Sequence, residues 1–229
     1  MMTSSRGWRC CAVADFDLII FDWDGTLMDS VAQIVSSVKA AANDLGVPEP
    51  SDAAARDIIG LGLPEAMRVL FPQVPEADRL ALRQRYAHHF VGGTGGQARP
   101  FEGAESLLDA LRAQGRQLAV ATGKTRVGLD RVLGMTGWQG HFAATRCADE
   151  TASKPDPRML RELLRELRVP VARAVMVGDT TYDLEMARAL GMASVGVTYG
   201  VHAPERLREH APLALCDSLP ALAACLASL

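Results

Sequence analysis

At 229 residues, 48% of them hydrophobic and 22% charged, the chain has the balance of an ordinary soluble protein able to bury a sizeable core. Its formal charge of −3 argues against the dense basic patch that nucleic-acid binding needs, and no apolar run approaches a membrane-spanning length. The five cysteines, Cys10, Cys11, Cys147, Cys216 and Cys225, form no C-x-x-C pair and have no histidine at zinc-ligand spacing, so neither a disulfide framework nor a zinc cluster is indicated.

The start, residues 1–14, lacks the long apolar stretch of a secretory signal and reads as a flexible tail. A cytoplasmic protein with no membrane or nucleic-acid partner is the expectation. The first strand pattern, Phe16 to Phe21, empties directly into Asp22-Trp23-Asp24-Gly25-Thr26. Two carboxylates two residues apart at the end of a buried strand, with a glycine next that frees the backbone, bring both acids to one sheet edge. Asp-Gly is also a common turn dipeptide, but acids seldom end a core strand unless a cation or a reaction requires them.

From Asp29 to about Arg99 no strand pattern appears. Helical periodicity covers Val31 to Leu45, Asp52 to Ile58, Pro64 to Leu70 and Glu76 to Phe90, which predicts an all-helical insert over residues 29–98. The run Gly92-Gly93-Thr94-Gly95-Gly96 closes this insert, either as a hinge or as a passive surface loop.

Beyond the insert, apolar runs at Gln117 to Ala121, Phe142 to Arg146, Ala174 to Val177, Ala193 to Val197 and Leu213 to Cys216 read as strands. They alternate with helical patterns at Gly103 to Gln114, Arg126 to Leu133, Asp156 to Leu167, Tyr182 to Leu190 and Ser218 to Ala227. Strands separated by helices pair in parallel through right-handed crossovers, so residues 15–28 and 99–229 are expected to form a doubly wound, Rossmann-like α/β core.

In such sheets the ligand sits beyond the carboxyl ends of the strands. The residues just past each strand are therefore site candidates: Asp22 and Asp24, then Thr122-Gly123-Lys124, then Gly178-Asp179-Thr180-Thr181-Tyr182-Asp183. Lys154-Pro155-Asp156-Pro157 stands just ahead of a helix, and its two prolines keep Lys154 outside the regular helix. Singly, Thr122 could cap a helix, Lys154 could lie on the surface and Asp179 could sit in a turn. Together their chemistry is consistent. Carboxylates converging on one crevice need a hard cation, and an oxygen-only donor set selects magnesium. A divalent cation beside a threonine hydroxyl and a lysine ammonium makes an anion site suited to phosphate. One carboxylate can attack phosphorus and the other can move the proton.

These residues resemble the haloacid-dehalogenase-like hydrolases, in particular their phosphoglycolate phosphatase-like and β-phosphoglucomutase-like branch. The likeness runs from Phe16 to about Gly200 through Asp22-Trp23-Asp24-Gly25-Thr26-Leu27 with Asp29-Ser30, Thr122, Lys154-Pro155, and Gly178-Asp179 with Asp183. It implies that the insert is a cap domain over the catalytic face. It implies Asp22 as nucleophile and magnesium ligand, and Asp24 as general acid and then base, with its carbonyl on the metal. It also implies a phosphate held by Trp23, Asp24, Thr122, Gly123 and Lys154, and further metal contacts from Asp179 and Asp183. An acid at Asp24 points to phosphate esters, because an alkoxide leaving group must be protonated. The expected substrate is a small phosphorylated metabolite. A phosphosugar mutase using the same acids is the alternative, and an idle binding protein on the same fold a more distant one.

One departure is Gly123-Lys124, where many relatives carry asparagine after the threonine. Lys124 reads as a surface lysine in preference to a substrate contact. Arg56 and Arg68 are candidate cations for a substrate carboxylate, but each reads in preference as a solvated helix residue. Tyr86, His88 and His89 read as covering the insert's helices rather than lining a cleft.

Overall fold

A computed structural model describes residues 16–229. The expected tail over residues 1–14, with Cys10 and Cys11, lies outside the described residues, as does residue 15. The chain opens with β1 (Leu18–Phe21), whose four apolar residues are all buried, as a central parallel strand requires. A short β2 (Met28–Asp29) leads into α1 (Val31–Asp44), α2 (Asp52–Asp57), α3 (Leu63–Leu70) and α4 (Glu76–Gly92), and the chain returns through β3 (Arg99–Pro100). The remainder alternates: α5 (Ala104–Ala113), β4 (Gln117–Thr122), α6 (Arg126–Thr136), β5 (Ala144–Cys147), α7 (Arg158–Leu167), β6 (Ala174–Gly178), α8 (Thr181–Arg188) and β7 (Ala193–Val197). It ends with α9 (Pro204–Arg208), β8 (Ala214–Cys216) and α10 (Leu219–Ser228).

Six strands form one parallel sheet in the order β5-β4-β1-β6-β7-β8. The alternation of side chains along β1 divides the core in two. Ile19 and Phe21 face Leu108 of α5, Leu129 of α6 and Leu222 of α10. Leu18 and Ile20 face Leu160 and Leu163 of α7 and Met186 of α8. Strand order reverses at β1, with β4 on one side and β6 on the other, so the crevice of a doubly wound sheet opens at its carboxyl end. That is where Asp22 stands.

Helices α1 to α4 bury a separate cluster that includes Val38, Ala41, Met67 and Leu82. The two chain passages between this helical unit and the sheet run together as an antiparallel ribbon, Met28 opposite Pro100 and Asp29 opposite Arg99. The buried Gln33 ties the passages further: its Nε2 donates to the Phe90 carbonyl (2.7 Å) and its Oε1 accepts from the Ala98 amide (2.8 Å). The glycine run packs on α1. Gly95 has φ +80°, and a Cβ there would lie 2.4 Å from Ser36 Cβ.

Where element limits differ from expectation, the causes are local. The helix expected from Asp156 starts at Arg158 because Pro157 occupies the N-cap, and β1 starts at Leu18 rather than Phe16. The β2–β3 ribbon and α9 carry no periodic signal, being only two and five residues long. Among the described residues no helix is long and apolar enough to cross a membrane.

Gly95→Ala and Gly46→Ala both force a positive φ on alanine, but nothing lies within 4 Å of a Cβ at Gly46. Urea denaturation is expected to show a loss of about 1 kcal/mol for Gly46→Ala and up to about 3 kcal/mol for Gly95→Ala, the difference reporting the Ser36 contact.

Candidate active site

The first turn after β1 is shaped by Gly25, whose φ of +82° suits glycine and whose missing side chain makes room for Asp179: a Cβ would fall 2.2 Å from Asp179 Oδ2. Thr26 Oγ1 donates to Asp179 Oδ1 (2.9 Å) and the Val201 amide donates to Asp179 Oδ2 (2.9 Å). The ends of β1 and β6 are thereby fixed to each other. Asp183 closes a capping box at the start of α8, its Oδ2 accepting from the Thr180 hydroxyl (2.7 Å) and amide (3.2 Å).

Lys154 is buried, and its ammonium donates to Asp22 Oδ1 and Asp183 Oδ1, both at 2.6 Å. Burial holds the Asp22 carboxyl well above the ordinary range in spite of Lys154, with the charges of Asp183 and Asp179 adding to the effect. Burial likewise pushes Asp179 up to about 7, with Asp183 beside it contributing. Burial alone would lower Lys154, but Asp183 and Asp22 outweigh it and raise the lysine above its usual value. Asp22, Asp179 and Asp183 each place an oxygen within 4.8 Å of the others. Asp22 Oδ2 is buried without a hydrogen-bond partner. A crowded, all-oxygen acidic cluster with one acceptor unsatisfied fits a hard divalent cation.

Asp24 turns away from this cluster. Its Oδ1 accepts from Ser30 Oγ (2.6 Å) and pairs with Lys124 Nζ (2.9 Å). Among the described residues the backbone amides of Trp23, Asp24 and Gly123, which lie just past the ends of β1 and β4 beside the buried Thr122, make no backbone hydrogen bond as donors. The Trp23 side chain does not take part. Its indole is fully buried edge-on to Trp138 and Phe142, which leaves only its amide for a ligand.

The helical unit closes over this face. Gly123 lies under the Gly60-Leu61 backbone, where a Cβ would come 2.4 Å from the Leu61 carbonyl oxygen. The Gly62 amide donates to Ser153 Oγ (2.8 Å), Tyr182 Oη donates to the Asp57 carbonyl (2.8 Å), and Arg206 pairs with the Asp57 carboxylate. Between the unit and the sheet lies a cavity of ≈ 210 Å³ bounded by Asp24, Lys124, Arg131, Tyr86 and a largely apolar wall. A second cavity of ≈ 210 Å³ shares Asp24, Phe90, Lys124 and Arg131 with it and reaches Trp23 and Met28.

The structure thus brings Asp22, Thr122, Gly123, Lys154, Asp179 and Asp183 to one sheet edge with Asp24 at its rim. Two readings of the flanking residues need correction. Lys124 is not a surface lysine: its side chain is only 9% exposed and sits on Asp24. Tyr86 lines the cavity instead of merely covering α4, and burial, then the charge of Asp24, raises its phenol above the usual range. Arg56 and Arg68 are exposed, Arg68 pairing with Glu65, in keeping with the solvated-helix reading, and neither lines the cavity. His88 is exposed, and His89 bonds to Asp44 (2.8 Å) and Thr94 (3.1 Å). Arg131 escaped notice because helical spacing on α6 does not reveal which residue meets the helical unit.

The sequence profile of the haloacid dehalogenase-like hydrolases matches residues 19–197. The chain is 37% identical over 206 residues to the Dickeya dadantii protein named probable phosphatase IndB, covering 88% of this chain and 89% of that one. It is 35% identical over 188 residues to the phosphoglycolate phosphatase of Agrobacterium fabrum, covering 80% and 81% of the two chains. A crystal structure described as that of a predicted phosphoglycolate phosphatase from Haemophilus somnus 129pt superposes with a TM-score of 0.81 at 25% identity, over 92% of this chain and 97% of the other. The chain belongs to the haloacid dehalogenase-like hydrolases, on the branch that includes phosphoglycolate phosphatases. It is an enzyme of the phosphatase kind.

Lys154→Met leaves three buried carboxylates without their cation, an uncompensated arrangement that typically costs about 3–5 kcal/mol. With Asp179 near 7 in the fold and about 3.9 when unfolded, the folded state binds the extra proton, so metal-free stability falls as pH rises from about 4 to about 7. The Lys154→Met deficit, measured by urea unfolding without divalent cations, is expected to be larger at about pH 8 than at about pH 5.

Proposed function

We propose that the protein hydrolyses a small phosphate monoester, with magnesium, through an aspartyl-phosphate intermediate on Asp22. The observation that carries this reading is the unpartnered, buried Asp22 Oδ2 beside Asp179, Asp183 and Lys154. Asp22 and Asp179, the Asp24 carbonyl and Asp183 would hold the ion. Bound magnesium supplies neutralisation of the phosphoryl and carboxylate charge.

The remaining work falls to the chain's own groups. The amides of Trp23, Asp24 and Gly123, with the Thr122 hydroxyl and the Lys154 ammonium, hold the phosphoryl oxygens. Lys154 also fixes Oδ1 of Asp22, which leaves Oδ2 as the attacking atom. Attack forms the Asp22–phosphorus bond and breaks the bond to the leaving oxygen, which takes a proton from Asp24. Asp24 then removes a proton from water as that water displaces Asp22 from phosphorus, releasing phosphate and restoring both acids. Ser30 and Lys124 both bind Oδ1 of Asp24, so they orient the carboxyl and leave its other oxygen to carry the proton.

In this reading residues 29–98 act as a cap on a core of residues 15–28 and 99–229. The contacts of Gly60 to Gly62 on Gly123 and Ser153 represent the closed state that excludes bulk water during transfer. The relatives named phosphoglycolate phosphatase make phosphoglycolate the first substrate to assay.

Purified protein is expected to release inorganic phosphate from a phosphomonoester panel with magnesium, and to stop when the metal is chelated. Asp22→Asn, which keeps the shape but removes the nucleophile, should lose about a thousandfold or more in kcat. Wild-type turnover in that variant would show that the wrong carboxylate was chosen. Magnesium should also raise the thermal midpoint of the parent protein, since a ligand bound only by the folded state stabilises it.

A further inference from the structure

The cavity under the helical unit holds two cations, and they stand differently. Lys124 has a carboxylate partner, Asp24 at 2.9 Å. Arg131, on the next helix, has none among the described residues. Its guanidinium carbon lies 5.5 Å from the centroid of the Phe90 ring, and the Lys124 ammonium lies 4.8 Å from the same ring. Arg131 borders both cavities, each of which also reaches Asp24, so it lies beside the space into which an alcohol leaving phosphorus and protonated by Asp24 would extend.

The rest of the wall supplies no compensation. Ile34, Val38, Ile58, Leu61 and Met67 are apolar, and Lys124 is engaged with Asp24. The half-buried Arg131 therefore borders the cavity as a cation with no carboxylate partner among the described residues. The Phe90 ring face holds the guanidinium in place but satisfies none of its N–H donors, which are left free for an anion. Planar forked donors suit a carboxylate far better than a hydroxyl. The aliphatic wall of Ile34, Val38, Ile58, Leu61 and Met67 also offers apolar surface that a two-carbon acid has no alkyl segment to cover.

The structure assigns Arg131 as a specificity residue that binds a carboxylate carried on the alcohol half of the phosphate ester, beyond an apolar segment that meets the aliphatic wall. This rests on the phosphatase reading above and deepens it. Arg131 touches neither the phosphoryl group nor Asp22 in this scheme. Its effect falls on the choice between esters, with acidic esters favoured over neutral ones of similar size.

The experiment compares kcat/KM for phosphoglycolate, for a longer phosphorylated hydroxy acid with an alkyl segment, and for p-nitrophenyl phosphate, in the parent protein and in Arg131→Met and Arg131→Lys. Methionine keeps a flexible apolar body against Phe90 while removing the charge. The ratio of acidic to neutral ester is expected to fall about tenfold or more in Arg131→Met, mostly through KM, and to be partly retained in Arg131→Lys. In the parent protein the longer acid should exceed phosphoglycolate. A ratio unchanged by Arg131→Met, or lost equally in Arg131→Lys, overturns the assignment while leaving the phosphatase reading intact. Hydrolysis of none of these esters by the parent protein overturns both.

Discussion

The site depends on one ammonium group. Lys154 Nζ stands 2.6 Å from both Asp22 and Asp183, and all three side chains are buried. Without it the carboxyl ends of β1 and β6 would present negative charge to negative charge in a dry crevice, at a cost of about 3–5 kcal/mol. With it, Asp22 has one oxygen held and the other left without a partner. The same contact reaches into secondary structure, because Asp183 also caps α8. A single lysine therefore joins the loop before α7, the end of β1 and the start of α8 into one rigid assembly.

That arrangement keeps an imbalance. Three carboxylates share one lysine, and burial holds Asp22 and Asp179 high in the absence of any other cation. The excess acidity is what a resident divalent ion would relieve, and it ties ion binding to proton release. Asp24 is kept out of this cluster by Ser30 and Lys124, which turn it toward the cavity. Two acids separated by one residue thus meet different surroundings. That difference in environment is what allows different chemistry from the same functional group.

Most of the sheet and its acids were legible in the sequence, because the signals are local. A four-residue apolar run can only be a buried strand here, and the residues just past the strands of a parallel sheet necessarily meet at one edge. Asp22, Thr122, Lys154 and Asp179 could be placed without knowing how any helix packs. Lys124, Tyr86 and Arg131 could not. Their positions depend on where the helical unit docks, which helical periodicity does not encode, since it identifies a buried face but not the neighbour that buries it. Arg56 and Arg68 show the converse: suitable charge on suitable helices, directed away from the cavity.

The contacts that hold the helical unit against the sheet are of two kinds, and this has a consequence for timing. Around the rim they are polar and few: Gly62 to Ser153, and Asp57 to Tyr182 and Arg206. Inside, the two surfaces meet across an apolar cavity instead of a packed core. In the proposed cap cycle, an empty closed state would gain little from its interior and rest on the rim, whereas an occupant with an apolar body would fill the interior and lengthen closure. The lifetime of the closed form would then be a property of what lies inside it, making the cavity a clock as well as a filter.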